Sequence, residues 1–162
     1  MEDFEGVIVL LEEYRNGGRI SQMIGLNSNR SDYLDILALA HCFASKGHDV
    51  RILQAVHYKD PVYRIVFGEL YGSNYYRKCP DLWVDGVFIE YESYRTESPK
   101  NAFRNMLHNG LAQSDRVILR QCSLTDGYMI RSIRGLISAG MIVSEVYLFD
   151  GERIRLLYKT EG

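Results

Sequence analysis

The sequence carries no excess of charge of either sign: 19 Lys and Arg against 21 Asp and Glu leave a formal net charge of -2 at pH 7. A polyanion binder that worked through its total charge would be strongly basic, so any affinity for nucleic acid has to come from a local patch. Cysteine is scarce. Cys42, Cys79 and Cys122 are an odd, widely spaced set with no CxxC pair and no His at zinc-ligand spacing, which excludes a disulfide framework or a structural zinc site and implies reduced thiols. Long apolar runs are also missing. Val7 to Leu11 is far too short for a signal peptide or a membrane span, so no membrane association is expected. The chain is expected to fold in a reducing cytoplasm, or to enter one as part of something larger. There is no internal repeat and no Walker A, G-x-G-x-x-G, G-x-S-x-G or zinc-protease motif, which leaves nucleotide hydrolysis, dinucleotide chemistry and serine hydrolysis without support.

What is present suits a single α/β domain over 1–162, since 162 residues at 46% hydrophobic can build a sizeable core. Residues 16–31, rich in Gly, Asn, Ser and Arg, read as a connector. Ser31 is placed to cap a helix from about Asp32 to Lys46, with Ile36, Leu39, Ala40 and Phe43 at helical spacing and Gly47 as its stop. Asp49 to Gln54 reads as a strand, and Pro61 to Leu70 as another. Leu82-Trp83-Val84, Asp85-Gly86 and Val87-Phe88-Ile89 form a hairpin signature closed by a two-residue turn. Pro99 to Gly110 is predicted as a helix, Arg116 to Leu119 as a strand, and Thr125 to Ala139 as a further helix ending at Gly140. A second Asp-Gly hairpin, Val143 to Phe149 and Arg153 to Lys159, completes a mixed sheet with packed helices.

The first hairpin carries the chemistry. With Asp85 and Gly86 as the turn, Val84 pairs with Val87, and counting outward sets Asp81 opposite Glu90. Opposed side chains have β-carbons roughly 4.5–5.5 Å apart, where like charges are destabilising. Glu92 falls on the face of Glu90, about 6.6 Å further along. Three converging acids call for a cation, and Mg²⁺ or Mn²⁺ binds through a few carboxylates while keeping waters and contacting phosphate. The bland alternative is a solvated strand face kept acidic for solubility.

The run Pro80-Asp81, eight residues, Glu90-Tyr91-Glu92 resembles the PD-(D/E)xK nuclease signature. The departure is Glu92, which stands where Lys is usual, giving an ExE variant. The resemblance implies a restriction-endonuclease-like α/β fold with an αβββαβ core over about 32–120, followed by an added helix and hairpin over about 125–159. The run Ala40 to Val50 followed by the PD hairpin is similar to the tRNA-cleaving C-terminal domain of contact-dependent growth inhibition toxins of the CdiA type. That similarity implies a toxin domain hydrolysing phosphodiester bonds in RNA (tRNA-like) or DNA, with an acidic residue of the first helix, here Asp35, joining Asp81 and Glu90 as a metal ligand.

A nuclease also needs cations for the phosphodiester. Arg95, Lys100, Arg104 and His108 follow the acids, the last three at i, i+4 and i+8 of one helix, and Arg77 and Lys78 lie beside Tyr75 and Tyr76 just ahead of the site. Each is equally compatible with a solvated surface. His41, on an otherwise apolar helix, reads as a hydrogen-bonded, semi-buried residue. The rival to the nuclease reading is a catalytically inactive nuclease-fold interaction module with a protein partner or a homo-oligomeric state, and the missing Lys is its main support.

Overall fold

A computed structural model describes residue 4, residues 6–94 and residues 98–161. The elements, in chain order, are β1 (Ile8–Glu13), β2 (Arg19–Met23), α1 (Tyr33–Ala44), β3 (Asp49–Ile52), α2 (Pro61–Phe67), β4 (Leu82–Val84), β5 (Val87–Glu92), α3 (Pro99–Leu111), β6 (Arg116–Arg120), α4 (Asp126–Ser138), β7 (Glu145–Phe149) and β8 (Ile154–Lys159). The class is mixed α/β, as the sequence predicts. The expected core order is carried by α1, β3, β4, β5, α3 and β6, with α2 inserted between β3 and β4. Contacts divide the chain into two compact units, Met1–Phe88 and Ile89–Gly162, with the division inside β5.

In the first unit β1 and β2 form an antiparallel hairpin, β2 and β3 run parallel across the helical crossover α1, and β3 and β4 are antiparallel. The register sets Ile20, Val50 and Val84 in one cross-strand row and Ser21, Arg51 and Trp83 in the next. Helix α1 packs on β2 and β3 and buries Ile36, Leu39, Ala40 and Ala44. Gly18 makes close packing possible, because a Cβ there would lie 1.8 Å from the Ala44 carbonyl oxygen. A second cluster joins Tyr63, Val66 and Phe67 of α2 to Phe4, Met23, Trp83 and Phe88.

Three expectations change here. Pro61 to Leu70 is helical, not a strand. Asp60 caps α2 by accepting from the Val62 amide at 2.9 Å, Pro61 supplies the first turn, and Tyr63, Val66 and Phe67 are buried at i, i+3 and i+4. The supposed connector 16–31 contains β2, in which Ile20, Ser21 and Met23 are buried, a short strand without clean alternation that lies between flanking glycines. Ser31 is not the cap of α1. Asp32 holds that position without a side-chain capping bond, because its carboxylate is taken by Arg30.

In the second unit β5, β6 and β7 are parallel, with α3 and α4 as crossovers, and β8 returns antiparallel to β7. The register puts Glu90 and Glu92 in rows with Val117, Val146, Leu119 and Leu148. Those four apolar residues belong to the core built with Phe103, Met106 and Leu107 of α3 and Met129 and Ile133 of α4.

The turn between β4 and β5 has positive φ at both residues, +48° at Asp85 and +92° at Gly86, the signature of a type I′ turn. Asp85 is also anchored to β3: the Asp49 amide donates to its Oδ1 at 2.8 Å and His48 Nδ1 donates to its Oδ2 at 2.6 Å. Burial alone would raise the Asp85 pKa, but these hydrogen bonds and the His48 charge hold it below its ordinary value. Asp85→Ala, which loses both the anchor and a residue tolerant of positive φ, is expected to cost about 1–2 kcal/mol. That corresponds to about 2–4 °C in Tm per kcal/mol, read by thermal melting. Asp85→Asn keeps the turn preference and should lose less. A carboxylate whose folded pKa is depressed stabilises above its unfolded pKa and ceases to do so as pH falls through the folded value. The gap between wild type and Asp85→Asn should therefore close below about pH 4.

Candidate active site

Asp81 and Glu90 are the only carboxylates among the described residues that are buried, each 8% exposed. A buried carboxylate has to be compensated by hydrogen bonds or opposite charge, or else give up its own charge. For Asp81 part of the compensation is plain. Arg30 Nη2 donates to Asp81 Oδ1 at 2.8 Å, while Arg30 Nε and Nη2 donate to the two oxygens of Asp32 at 2.6 and 3.0 Å. Burial by itself would lower the Arg30 pKa. The hydrogen bonds and charges of Asp32 and Asp81 more than reverse this, so the guanidinium is held well above its ordinary value. The planar fork can bridge two carboxylates at once, which an ammonium cannot do with the same geometry. Asp81 is fixed by its backbone as well, its carbonyl accepting from the Leu53 amide at 2.8 Å.

Asp35 lies in the first turn of α1, half-buried, one residue before the buried Ile36. Arg77 is exposed with φ +75° and its guanidinium stacks 4.0 Å from the Tyr58 ring centroid. Lys78 is half-buried, and its carbonyl accepts from the Tyr63 hydroxyl at 3.0 Å. His41 is hydrogen-bonded to the Tyr14 hydroxyl at 2.6 Å and half-buried, which is the structural role its apolar helix suggests. A depression of about 610 Å³ in this unit, bordered by Arg64, Glu69 and Tyr71, contains none of the predicted site residues.

In the second unit Glu90 pairs in register with Val117 of β6 and the half-buried Glu92 with Leu119. Glu92 is seated by Gly110 of α3, where an added Cβ would come within 3.2 Å of Glu92 Cγ and 3.0 Å of Val117 Cγ1. Lys100, Arg104 and His108 are all exposed along α3, as their spacing requires. Lys100 Nζ lies 5.3 Å from the centroid of the Tyr128 ring. Arg95 lies outside the described residues. Among the described residues no three or more His, Cys, Asp or Glu side chains form a group able to hold a metal ion. A cation site here therefore has to rest on fewer carboxylates, completed by water and phosphate oxygens.

Sequence reasoning passes over Arg30, because it sits in a stretch that looks like connector and its two partners are 2 and 51 positions away. It also passes over Arg51. That side chain is 5% exposed, its guanidinium 4.0 Å from the Trp83 ring centroid and 4.6 Å from that of Phe4.

No family model matches the sequence, and no curated protein matches it. Among solved structures, a chain of the "CdiA-CT/CdiI toxin and immunity complex from Burkholderia pseudomallei" is similar over 85% of this chain and 91% of that one, at 17% identity and a TM-score of 0.47.

Removal of the guanidinium leaves Asp81 buried with one charge-assisted bond fewer. Arg30→Ala is expected to lower the unfolding free energy by about 1.5–3 kcal/mol, measured by urea denaturation. Arg30→Lys should recover only part of the loss. Combining Arg30→Ala with Asp81→Asn should cost less than the sum of the two single changes.

Proposed function

We propose that this chain is a metal-dependent nuclease, of PD-(D/E)xK type in its ExE variant, which hydrolyses phosphodiester bonds in RNA or DNA. The observation that carries the reading is that two of the three carboxylates predicted as metal ligands, Asp81 and Glu90, are the two that are buried among the described residues, while the third, Asp35, is half-buried. A buried carboxylate needs opposite charge or hydrogen bonds, and a bound cation can supply part of that compensation. The donor set fits the chemistry. Carboxylate oxygens are what Mg²⁺ and Mn²⁺ take, and one or two suffice when phosphate and water complete the shell. Asp81 and Glu90 are the proposed ligands; Asp35, predicted as a third, does not form a three-acid group with them among the described residues and is proposed only to act through water. When bound, the cation supplies an activated water and offsets the charge of the phosphate. Glu92, in the position of the usual Lys, is the proposed base that takes the proton of the attacking water, since no group of three acids among the described residues is placed to hold the cation. Arg30 competes for Asp81 Oδ1, and its two bonds to Asp32 let it yield that oxygen without losing its own position. Lys100, Arg104 and His108, with Arg77 and Lys78, are the proposed phosphate contacts.

The Arg30–Asp81 ion pair also favours a second reading. A guanidinium already seated on the carboxylate is what an inactive nuclease-fold interaction module would retain, and Glu92 in place of Lys agrees with it. A toxin domain with a protein partner is compatible with either reading.

The two are separated by incubating labelled RNA, including tRNA, and single-stranded and duplex DNA with Mg²⁺, with Mn²⁺ and with chelator. Cleavage is expected only with metal, and Glu90→Gln and Asp81→Asn, both still folded, should abolish it. Metal that binds only the folded state at a hundredfold excess over its Kd should stabilise it by about 2.7 kcal/mol. That gain should be larger in Arg30→Ala, where the cation has no competitor. No cleavage of any substrate and no metal-dependent rise in Tm would leave the interaction-module reading in place.

A further inference from the structure

Helices α3 and α4 of the second unit enclose a groove of about 240 Å³. Its floor is apolar, made by Phe103 and Leu107 of α3 and Leu136 of α4, with Tyr128 as one wall. Lys100 and Arg104 border it, both exposed, and the Lys100 ammonium lies 5.3 Å from the Tyr128 centroid. Gly135 lines it too, and a Cβ there would meet nothing within 4 Å. The volume falls below the ~300–1,000 Å³ of pockets for drug-sized ligands, which leaves room for one small flat ring system.

We infer that this groove seats an unstacked base of a single-stranded nucleic acid, with Tyr128 as the stacking surface and Lys100 and Arg104 on the adjoining phosphates. The occupant is identified by the pairing of chemistries. An apolar slot with an aromatic wall suits any base face, and cations at its border suit the backbone that carries the base. Lys100, Arg104 and His108 continue along α3 in steps of about 6 Å, a track that an apolar peptide would leave unpaired and a polyanion would neutralise. A base buried in duplex stacking cannot enter such a slot, so the groove selects loops, ends and single strands. The inference deepens the nuclease reading by naming the substrate class, and it rests on that reading only for its connection to cleavage.

The test uses the full chain in chelator, so that nothing is cut, and reads the fluorescence anisotropy of a labelled oligouridine and of a duplex of equal length. The single strand should bind the more tightly. Gly135→Leu fills the groove from a position where the new side chain has open space, and in a helix interior leucine is favoured over glycine, so Tm should be unchanged or raised. Its affinity for the single strand should nevertheless fall about 5- to 150-fold, the range that stacking of one base supports, and Tyr128→Ala should match it while Tyr128→Phe retains binding. Lys100→Ala should reduce the slope of log affinity against log salt. Unchanged binding in Gly135→Leu, or a duplex bound as tightly as the single strand, would overturn the inference, and binding only to an added protein would assign the groove to a partner instead. The two proposals fail separately: wild type that binds single strands but cuts nothing with metal removes the nuclease reading alone, whereas metal-dependent cleavage with normal binding by Gly135→Leu removes the base subsite alone.

Discussion

Asp81 is 8% exposed and set at the entrance to β4, and the guanidinium of Arg30 donates to it there at 2.8 Å. The same guanidinium holds Asp32 at the start of α1. One side chain thus ties the approach to the helix to the approach to the hairpin, across 51 positions of sequence. It also explains why α1 begins without a side-chain cap: the residue in the capping position has its oxygens committed to Arg30. A local stabilisation of the helix is given up for a tertiary one that positions a carboxylate.

The turn at Asp85 and Gly86 works in the same way. Asp-Gly favours a type I′ turn locally, and the Asp85 side chain adds a tertiary anchor by reaching the Asp49 amide and His48. The residue that reverses the chain therefore also fixes the reversed segment against β3. In the second unit Gly110 has the corresponding role by absence, since a Cβ there would crowd Val117 Cγ1 at 3.0 Å and Glu92 Cγ at 3.2 Å. Both acids of β5 lie in register with core residues of β6, not in a solvated row, which weighs against reading them as solubility devices.

Much of the architecture was legible because it rests on local rules. The periodicity of Ile36, Leu39 and Ala40, the Pro99 start and Gly140 stop, and both Asp-Gly turns are statements about backbone preference that neighbours in sequence enforce. Residues 61–70 were misread because aromatic and β-branched composition was given more weight than the Asp60-Pro61 start and the i, i+3, i+4 spacing that followed it. Strand β2 was missed because five residues between glycine-rich turns carry too few alternations to be distinguished from a connector.

The sequence by itself singled out Asp81, Glu90 and Glu92 as candidates, because a two-residue turn and the alternation of strand side chains relate them before any folding is known. It determined the cation stripe of α3 for the same reason, through helical spacing. Only the tertiary structure decided that, among the described residues, Asp81 and Glu90 are the carboxylates drawn into the interior, that Arg30 meets Asp81, and that Tyr128 and Gly135 of α4 line one groove with Lys100 and Arg104 of α3. Those facts depend on burial and on residues 24 to 51 positions apart coming together. Such contacts follow from how helices and sheets pack, which no short-range pattern in a chain encodes.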